Sequence, residues 1–437
     1  MRILSARRSA LIVAVAAILP RLVVLLVERG SILSAFTEKS DDFARTFVSS
    51  GTYGFVPGVP SANTQPLYGW FLIPLYWVFG RHWVVVGTAQ VVVAVLTSLV
   101  VLAIGRSYLG HRAGLLAALA ATLNPYLIWH DVHVNREILD QLAAAGLFLL
   151  VLLVARAGTV ALAAAAGVAA GVAILGNSRL AALPLVLAVY LAWRQRSRAV
   201  PVAAALFVAA AVTIAPWVIR NRVQVGCFAI TTDARALWKA NNEQTYATLA
   251  AGKWIDDVPP LPGAPHLTPE FERDIYAQSG RVVRVDECAQ MHLYEHATFR
   301  FWRHHPGEKV KLMGQATRML WQPEQTRTEG GPSSSTAKAW SEALWTIPMY
   351  ALALVGLFLV PAPFAALALV FLAYNTAAAW LFAGATRYRV PFDFVLALLA
   401  AAAFDRLLSR WRYTASIPST AAASENDSSA RTLAAEP

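Results

Sequence analysis

Runs of apolar residues close to membrane-crossing length, separated by short connections rich in arginine, set the fold class of this chain. A helix needs about 20 such residues at ~1.5 Å rise to cross hydrocarbon, where no backbone polar group can stay unpaired. The runs are 9–29, 82–105, 113–129, 138–154, 159–176, 180–193 and 199–219, then, after a long polar gap, 344–360, 363–383 and 391–408. They predict an all-α polytopic membrane protein with about ten transmembrane helices. The stretch 66–80 is too short and too marked by proline to span, and suits an interfacial or re-entrant helix. Only 14% of the 437 residues are charged and 57% are hydrophobic, which excludes a soluble enzyme, a disordered chain and a nucleic-acid module.

Basic residues precede the first run, as in a signal peptide. However, Pro20 and Arg21 lie inside it, it outlasts an ordinary apolar core, and no clear small-residue cleavage site follows, so it is read as a retained span. With the N-terminus cytoplasmic, the inner connections carry Arg2, Arg7 and Arg8, then Arg106, Arg112 and Arg156, then Arg194, Arg196 and Arg198, then Arg406, Arg410 and Arg412, against Asp405 alone. The positive-inside tendency then places both termini in the cytoplasm and explains much of the net charge of +11 as topology. The expected organisation is an N-terminal transmembrane module over 1–219 with an outer loop at 30–65, then a small mixed extracytoplasmic domain over 220–343. C-terminal transmembrane helices follow over 344–413, and a Ser/Ala/Thr-rich, disordered cytoplasmic tail over 414–437. Cys227 and Cys288 both fall in the outer domain, where they either pair or stay as small buried thiols.

The outer segments carry the polar chemistry. The first loop holds Glu38, Asp41 and Asp42, then Gln65 and Tyr68; adjacent carboxylates there serve as a general base, a metal ligand or merely a solvated loop. The turn at 130–137 holds His130, Asp131, His133, Asn135, Arg136 and Glu137, with Asp140 beyond. If helical, His130, His133, Glu137 and Asp140 share one stripe. Such groups at the edge of hydrocarbon cost about 2.5–3.5 kcal/mol unless paired or facing a wet cavity. His133 and Glu137 at i,i+4 would suit a divalent metal, though no complete ligand set is evident. Arg21 either snorkels to the headgroups or faces the same cavity. Arg387 and Arg389, flanking Tyr388, and Arg179 sit on the outer side, where cations want an anion such as a phosphate. The aromatic and basic stretch 297–321 suits an interfacial helix or an ordinary amphipathic one.

Four segments, in this order, resemble the bacterial polyprenyl-phosphate-sugar-dependent glycosyltransferases of the protein O-mannosyltransferase and aminoarabinose transferase kind, the GT-C architecture. They are Asp41-Asp42 with Ser50-Gly51-Thr52-Tyr53-Gly54 and Gln65-Pro66-Leu67-Tyr68; Asn124-Pro125 with Arg136-Glu137; Pro216-Trp217-Val218-Ile219-Arg220-Asn221 with Asn241-Asn242; and Arg387-Tyr388-Arg389-Val390-Pro391. The resemblance implies a general base at Asp41 or Asp42, with Glu38 a third candidate because the gap to Gly51 is short, and a second acidic position at Glu137. It implies donor phosphate binding by Arg387, with Arg136 and Arg21 behind it, in a substrate cavity that includes Tyr388, His133, Asn135, Tyr68 and Gln65.

The activity it implies is transfer of a sugar from a polyprenyl phosphate to an envelope lipid, glycan or protein on the outer face of a bacterial inner membrane. No cofactor is certain and no nucleic acid takes part. Two alternatives stay open: a lipid-linked sugar flippase, and a polysaccharide polymerase or ligase using a diphosphate-linked donor.

Overall fold

A computed structural model of the protein describes residues 2–35, 38–262, 268–324 and 336–415. Of the tail expected over 414–437, all but 414 and 415 lie outside the described residues. With few polar side chains to compete for backbone groups, the apolar runs close into helices. These are α1 (Arg2–Val27), α2 (Lys39–Ser50), α3 (Pro66–Phe79), α4 (Trp83–Tyr108), α5 (His111–Thr122), α6 (Pro125–His130), α7 (Glu137–Ala157), α8 (Val160–Gly176), α9 (Leu183–Gln195) and α10 (Ala199–Gln224). The polar segment that follows holds α11 (Arg235–Lys239), α12 (Thr245–Ala250), α13 (Pro269–Ser279), α14 (Glu287–His304) and α15 (Pro306–Trp321). Helices α16 (Thr336–Leu357), α17 (Ala362–Phe382), α18 (Thr386–Arg389) and α19 (Asp393–Ala415) end the described chain.

Among the described residues no strand forms, and the one β pairing is an isolated bridge between Val56 and Val59. In the segment 220–343, expected to be mixed, the regular elements among the described residues are therefore all helices, joined by irregular stretches. The stretch 297–321 is two helices rather than one, broken where Pro306 opens α15. Cys227 and Cys288 are disulfide-bonded, tying the chain just after α10 to the first turn of α14.

Five stretches among the described residues are long and apolar enough to cross a bilayer: Arg7–Val27, Trp83–Tyr108, Glu137–Ala157, Ser178–Gln224 and Ala362–Phe382. The span expected over 113–129 is broken in two. Asn124 accepts the Tyr126 N–H and Pro125 takes the first helical position, so α5 stops and α6 starts afresh. Close approach holds the bundle together. A Cβ on Gly167 would lie 2.3 Å from the Leu206 carbonyl oxygen, and one on Gly171 2.6 Å from Thr213 Cβ, so only glycine lets α8 and α10 pack this tightly. Phe148 of α7 meets Phe364, Phe371 and Phe394 edge-on in the core between α17 and α19.

The helices alternate in direction, which gathers the arginine-rich connections at one end. There Ser9 meets His111 at 3.1 Å, Gln195 donates to the Val154 carbonyl at 2.8 Å, and Arg112 pairs with Asp405 at 2.8 Å. The opposite end collects the start of α7, the turn after α8, the end of α10 and the short helix α18. It is capped by α2 and the polar segment.

Candidate active site

Helix α2 opens with Glu38 as its N-cap residue in extended backbone. Its apolar face is pinned by Phe43, which packs edge-on against Tyr53 and Phe55, and Tyr53 in turn meets Trp217 of α10. Beside Glu38, the Lys39 ammonium donates to Asn63 Oδ1 at 2.8 Å and to Asp233 Oδ2 at 2.7 Å, and lies 2.9 Å from Glu270. Burial works against that charge, but Asp233 and Glu270 overcome it and hold the Lys39 pKa above its usual value. Burial likewise opposes the charge on Glu270, yet Lys39 and Arg235 bring its carboxyl down to about 2. These pairs fasten the start of α2 to the polar segment.

Above this joint lies a cavity of about 430 Å³. One wall carries Glu38, Gln65, Arg136, Arg179, Arg387 and Tyr388; the other carries Asp233, Arg235, Lys239 and Trp254. The cations of the second wall have acidic partners: Arg235 lies 2.8 Å from Glu270, and Lys239 3.6 Å from Asp256. The guanidinium groups of the first wall are placed differently. Arg136 donates from Nη1 to Gln65 Oε1 at 2.7 Å, and Gln65 donates onward to Ser178 Oγ at 2.8 Å, while the buried Arg136 Nε has no partner. Arg179 donates to the Ala383 carbonyl at 3.0 Å and lies 3.9 Å above the Tyr388 ring, and its Nη1 is likewise unpartnered. Arg387 has Nε 3.4 Å from Glu137 Oε1 and Nη2 3.9 Å from Glu38 Oε1. A buried donor left unpaired costs about 1–3 kcal/mol, and an anion in the cavity could answer those of Arg136 and Arg179. Forked guanidinium groups match phosphate oxygens in charge and geometry.

Of the residues singled out in the sequence, Glu38, Gln65, Arg136, Arg179, Arg387 and Tyr388 line this cavity. Glu137 stands directly behind Arg387, with neither carboxylate oxygen hydrogen-bonded. The others lie elsewhere, each for a stated reason. Asp41 is held in a forked pair by Arg81, at 2.8 and 2.9 Å, and accepts from the Tyr76 hydroxyl at 2.6 Å. Asp42 faces Arg273 at 3.0 Å and Arg45 at 3.6 Å. Neither aspartate lines the cavity, and Glu38 does. Arg21 does not reach it either, because its guanidinium is buried against Asp131 at 2.7 Å and against Ala17 and Thr122.

The stripe expected from His130 to Asp140 is not one helix. Asn135 accepts the Glu137 N–H and starts α7 anew, which leaves His133 in the turn with its ring stacked on Trp129. Tyr68 and Asn135 are hydrogen-bonded to each other below the cavity rather than lining it. With His133 and Glu137 off a common helix, their i,i+4 spacing no longer makes a metal pair. Among the described residues no three of His, Cys, Asp and Glu gather as a ligand set.

Asn177 and Ser178, together with Asp233, Arg235 and Lys239, are cavity residues that the sequence did not single out. The row Asn177-Ser178-Arg179, polar between two apolar runs, is the one local signal that points to them.

The polar segment carries a titratable group of its own. Burial pushes the Glu272 carboxyl up to about 7, although the Val285 N–H bonded to it favours the charged form and the nearby Glu287 disfavours it. A carboxyl whose pKa is higher folded than unfolded stabilises the fold at low pH and loses that advantage as pH rises through its folded value. Hydrogen exchange over α13 and α14 is therefore expected to quicken between pH 5 and pH 8, by on the order of 2 kcal/mol of opening free energy. Glu272→Gln should flatten that dependence; an unchanged pH profile would contradict the assignment.

Residues 60–219 match the family model of dolichyl-phosphate-mannose-protein mannosyltransferase. No curated protein matches the sequence. Among solved structures, the chain is similar to the archaeal oligosaccharyltransferase AglB from Archaeoglobus fulgidus, solved in complex with an inhibitory peptide and a dolichol-phosphate. The TM-score is 0.53 at 14% identity, over 94% of this chain and 52% of that one. ArnT from Cupriavidus metallidurans, bound to undecaprenyl phosphate, also matches, at TM-score 0.43 and 17% identity over 89% of this chain and 77% of that one. The chain spans about half the length of the oligosaccharyltransferase, and what that likeness establishes is the fold.

Proposed function

We propose that this GT-C chain, mannosyltransferase-like over residues 60–219, is a membrane glycosyltransferase that moves a sugar from a polyprenyl phosphate to a hydroxyl-bearing envelope acceptor. The observation that carries the reading is the wall of three guanidinium groups, Arg136, Arg179 and Arg387, the first two each with a buried N–H to spare, beside the carboxylate of Glu38. Arginines at this spacing grip the bridging phosphate of the donor while its lipid lies between helices. Glu38 takes the proton from the acceptor hydroxyl as that oxygen attacks the anomeric carbon. The bond from the anomeric carbon to the phosphate oxygen breaks, and its electron pair leaves with the polyprenyl phosphate. The guanidinium wall neutralises the charge that builds there, so no general acid is required. One displacement by one base inverts the anomeric configuration.

The arginine-rich connections at the other end of the bundle favour a cytoplasmic placement for that end and so support a cavity that opens on the outer face of a bacterial inner membrane. Lipid, glycan and protein hydroxyls all fit the acceptor role. Purified protein given a panel of radiolabelled polyprenyl-monophosphate sugars is expected to move label from at least one of them to a cell-envelope fraction. Label moving only from diphosphate-linked donors, or crossing sealed vesicles with no new glycosidic bond, would overturn the reading.

A further inference from the structure

Gln90 lies in the third turn of α4 with no exposed surface, a place where an amide is costly unless every polar atom is used. Its Nε2 donates to the carbonyl of Asp131 at 2.8 Å and to that of His133 at 2.7 Å. Its Oε1 accepts from the Tyr68 hydroxyl. That hydroxyl accepts the Asn135 N–H at 2.8 Å, and Asn135 Oδ1 accepts the Glu137 N–H at 2.9 Å. On the far side, Asp131 is anchored by Arg21 at 2.7 Å and by Gln141 Nε2 at 3.0 Å. One amide thus closes the non-helical turn 131–136 and fixes where α7 begins.

We propose that Gln90 is a positioning residue for the anion wall, acting through Tyr68, Asn135 and Glu137 on the guanidinium of Arg387; the inference rests on the transferase reading given above. The logic is geometric. Glu137 is the first residue of α7, and its Oε1 stands 3.4 Å from Arg387 Nε. A slip of the turn by about an ångström moves that carboxylate away from the arginine, and misplacements of this size cost about a hundredfold in rate. The carbonyls of Asp131 and His133 have no helical partner of their own to hold the turn once the amide is gone. The segment reaches the wall through backbone hydrogen bonds that any loss at Gln90 breaks together.

The test is a double-mutant cycle measured per folded molecule, with transfer from a radiolabelled polyprenyl-monophosphate sugar as the readout. Gln90→Leu keeps the volume and removes every hydrogen bond; it is expected to lower kcat about 10- to 100-fold with less than a threefold change in donor KM. In a Glu137→Gln background the same substitution should add less than about threefold, because the path it acts through is already cut. Should Gln90→Leu fold poorly, Tyr68→Phe keeps the ring and removes the hydroxyl that joins Gln90 to Asn135, and the same non-additivity is expected. Losses that multiply in full, or full activity in either variant, overturn the proposal. Absence of transfer by the wild-type protein from every polyprenyl-monophosphate sugar would instead sink the transferase reading itself, so the two failures are separable.

Discussion

Replacing Arg387 by alanine is expected to reduce sugar transfer about a thousandfold, the scale seen when one preorganised donor to a developing anion is removed. Two effects combine. The phosphate loses the guanidinium that stands between Glu38 and Glu137. In addition, Glu137 is left as a buried carboxylate with no hydrogen bond of its own, and stranding one member of a buried pair costs about 3–5 kcal/mol. The variants separate these contributions. Arg387→Ala combined with Glu137→Gln should recover thermal stability without recovering transfer. Arg387→Lys keeps the charge but loses the fork, and should fall between wild type and alanine. Transfer from a labelled donor, normalised to folded protein, decides the matter; wild-type rates in Arg387→Ala would rule out the guanidinium wall as the phosphate site.

Glu38→Gln is the second large effect. Loss of a positioned general base typically costs 10²–10⁴-fold, and here the loss should appear in kcat while donor KM stays near its wild-type value. The two aspartates nearby behave differently in this account. Asp42 sits in half-exposed pairs with Arg45 and Arg273, which contribute about 0–1 kcal/mol, so Asp42→Asn should be close to silent. Asp41 is buried in its forked pair with Arg81, so Asp41→Asn should reduce the yield of folded protein while the molecules that fold keep turning over. An inactive but well-folded Asp41→Asn or Asp42→Asn enzyme, beside an active Glu38→Gln one, would return the base to the aspartates.

That contrast shows where reading the chain by itself runs out. Hydropathy locates most of the bundle because apolar runs have few alternatives to helix in a bilayer, and the match to AglB agrees with that architecture. Asn124-Pro125 breaks the third expected span, and those two residues carry the reason in their own capping chemistry. Which of Glu38, Asp41 and Asp42 lines the cavity has no such local mark. It follows from Arg81, 40 positions from Asp41, and from Arg273, 231 positions from Asp42, whose pairings occupy those carboxylates and leave Glu38 at the cavity. Arg21 is similar: an arginine inside an apolar run reads equally as a lipid anchor or a ligand site until Asp131, 110 positions away, comes into contact with it. Arg387 and Arg179 were legible because a cation at the end of an apolar span is costly unless an anion answers it, and Arg136 only through the resemblance.

The most direct measurement is equilibrium binding of undecaprenyl phosphate, free of any sugar, to the purified protein in lipid nanodiscs. Saturable binding is expected, abolished in the Arg136→Ala, Arg179→Ala, Arg387→Ala triple variant and retained in Glu38→Gln. Failure of the wild-type protein to bind the lipid phosphate, or equal binding by the triple variant, would contradict the account.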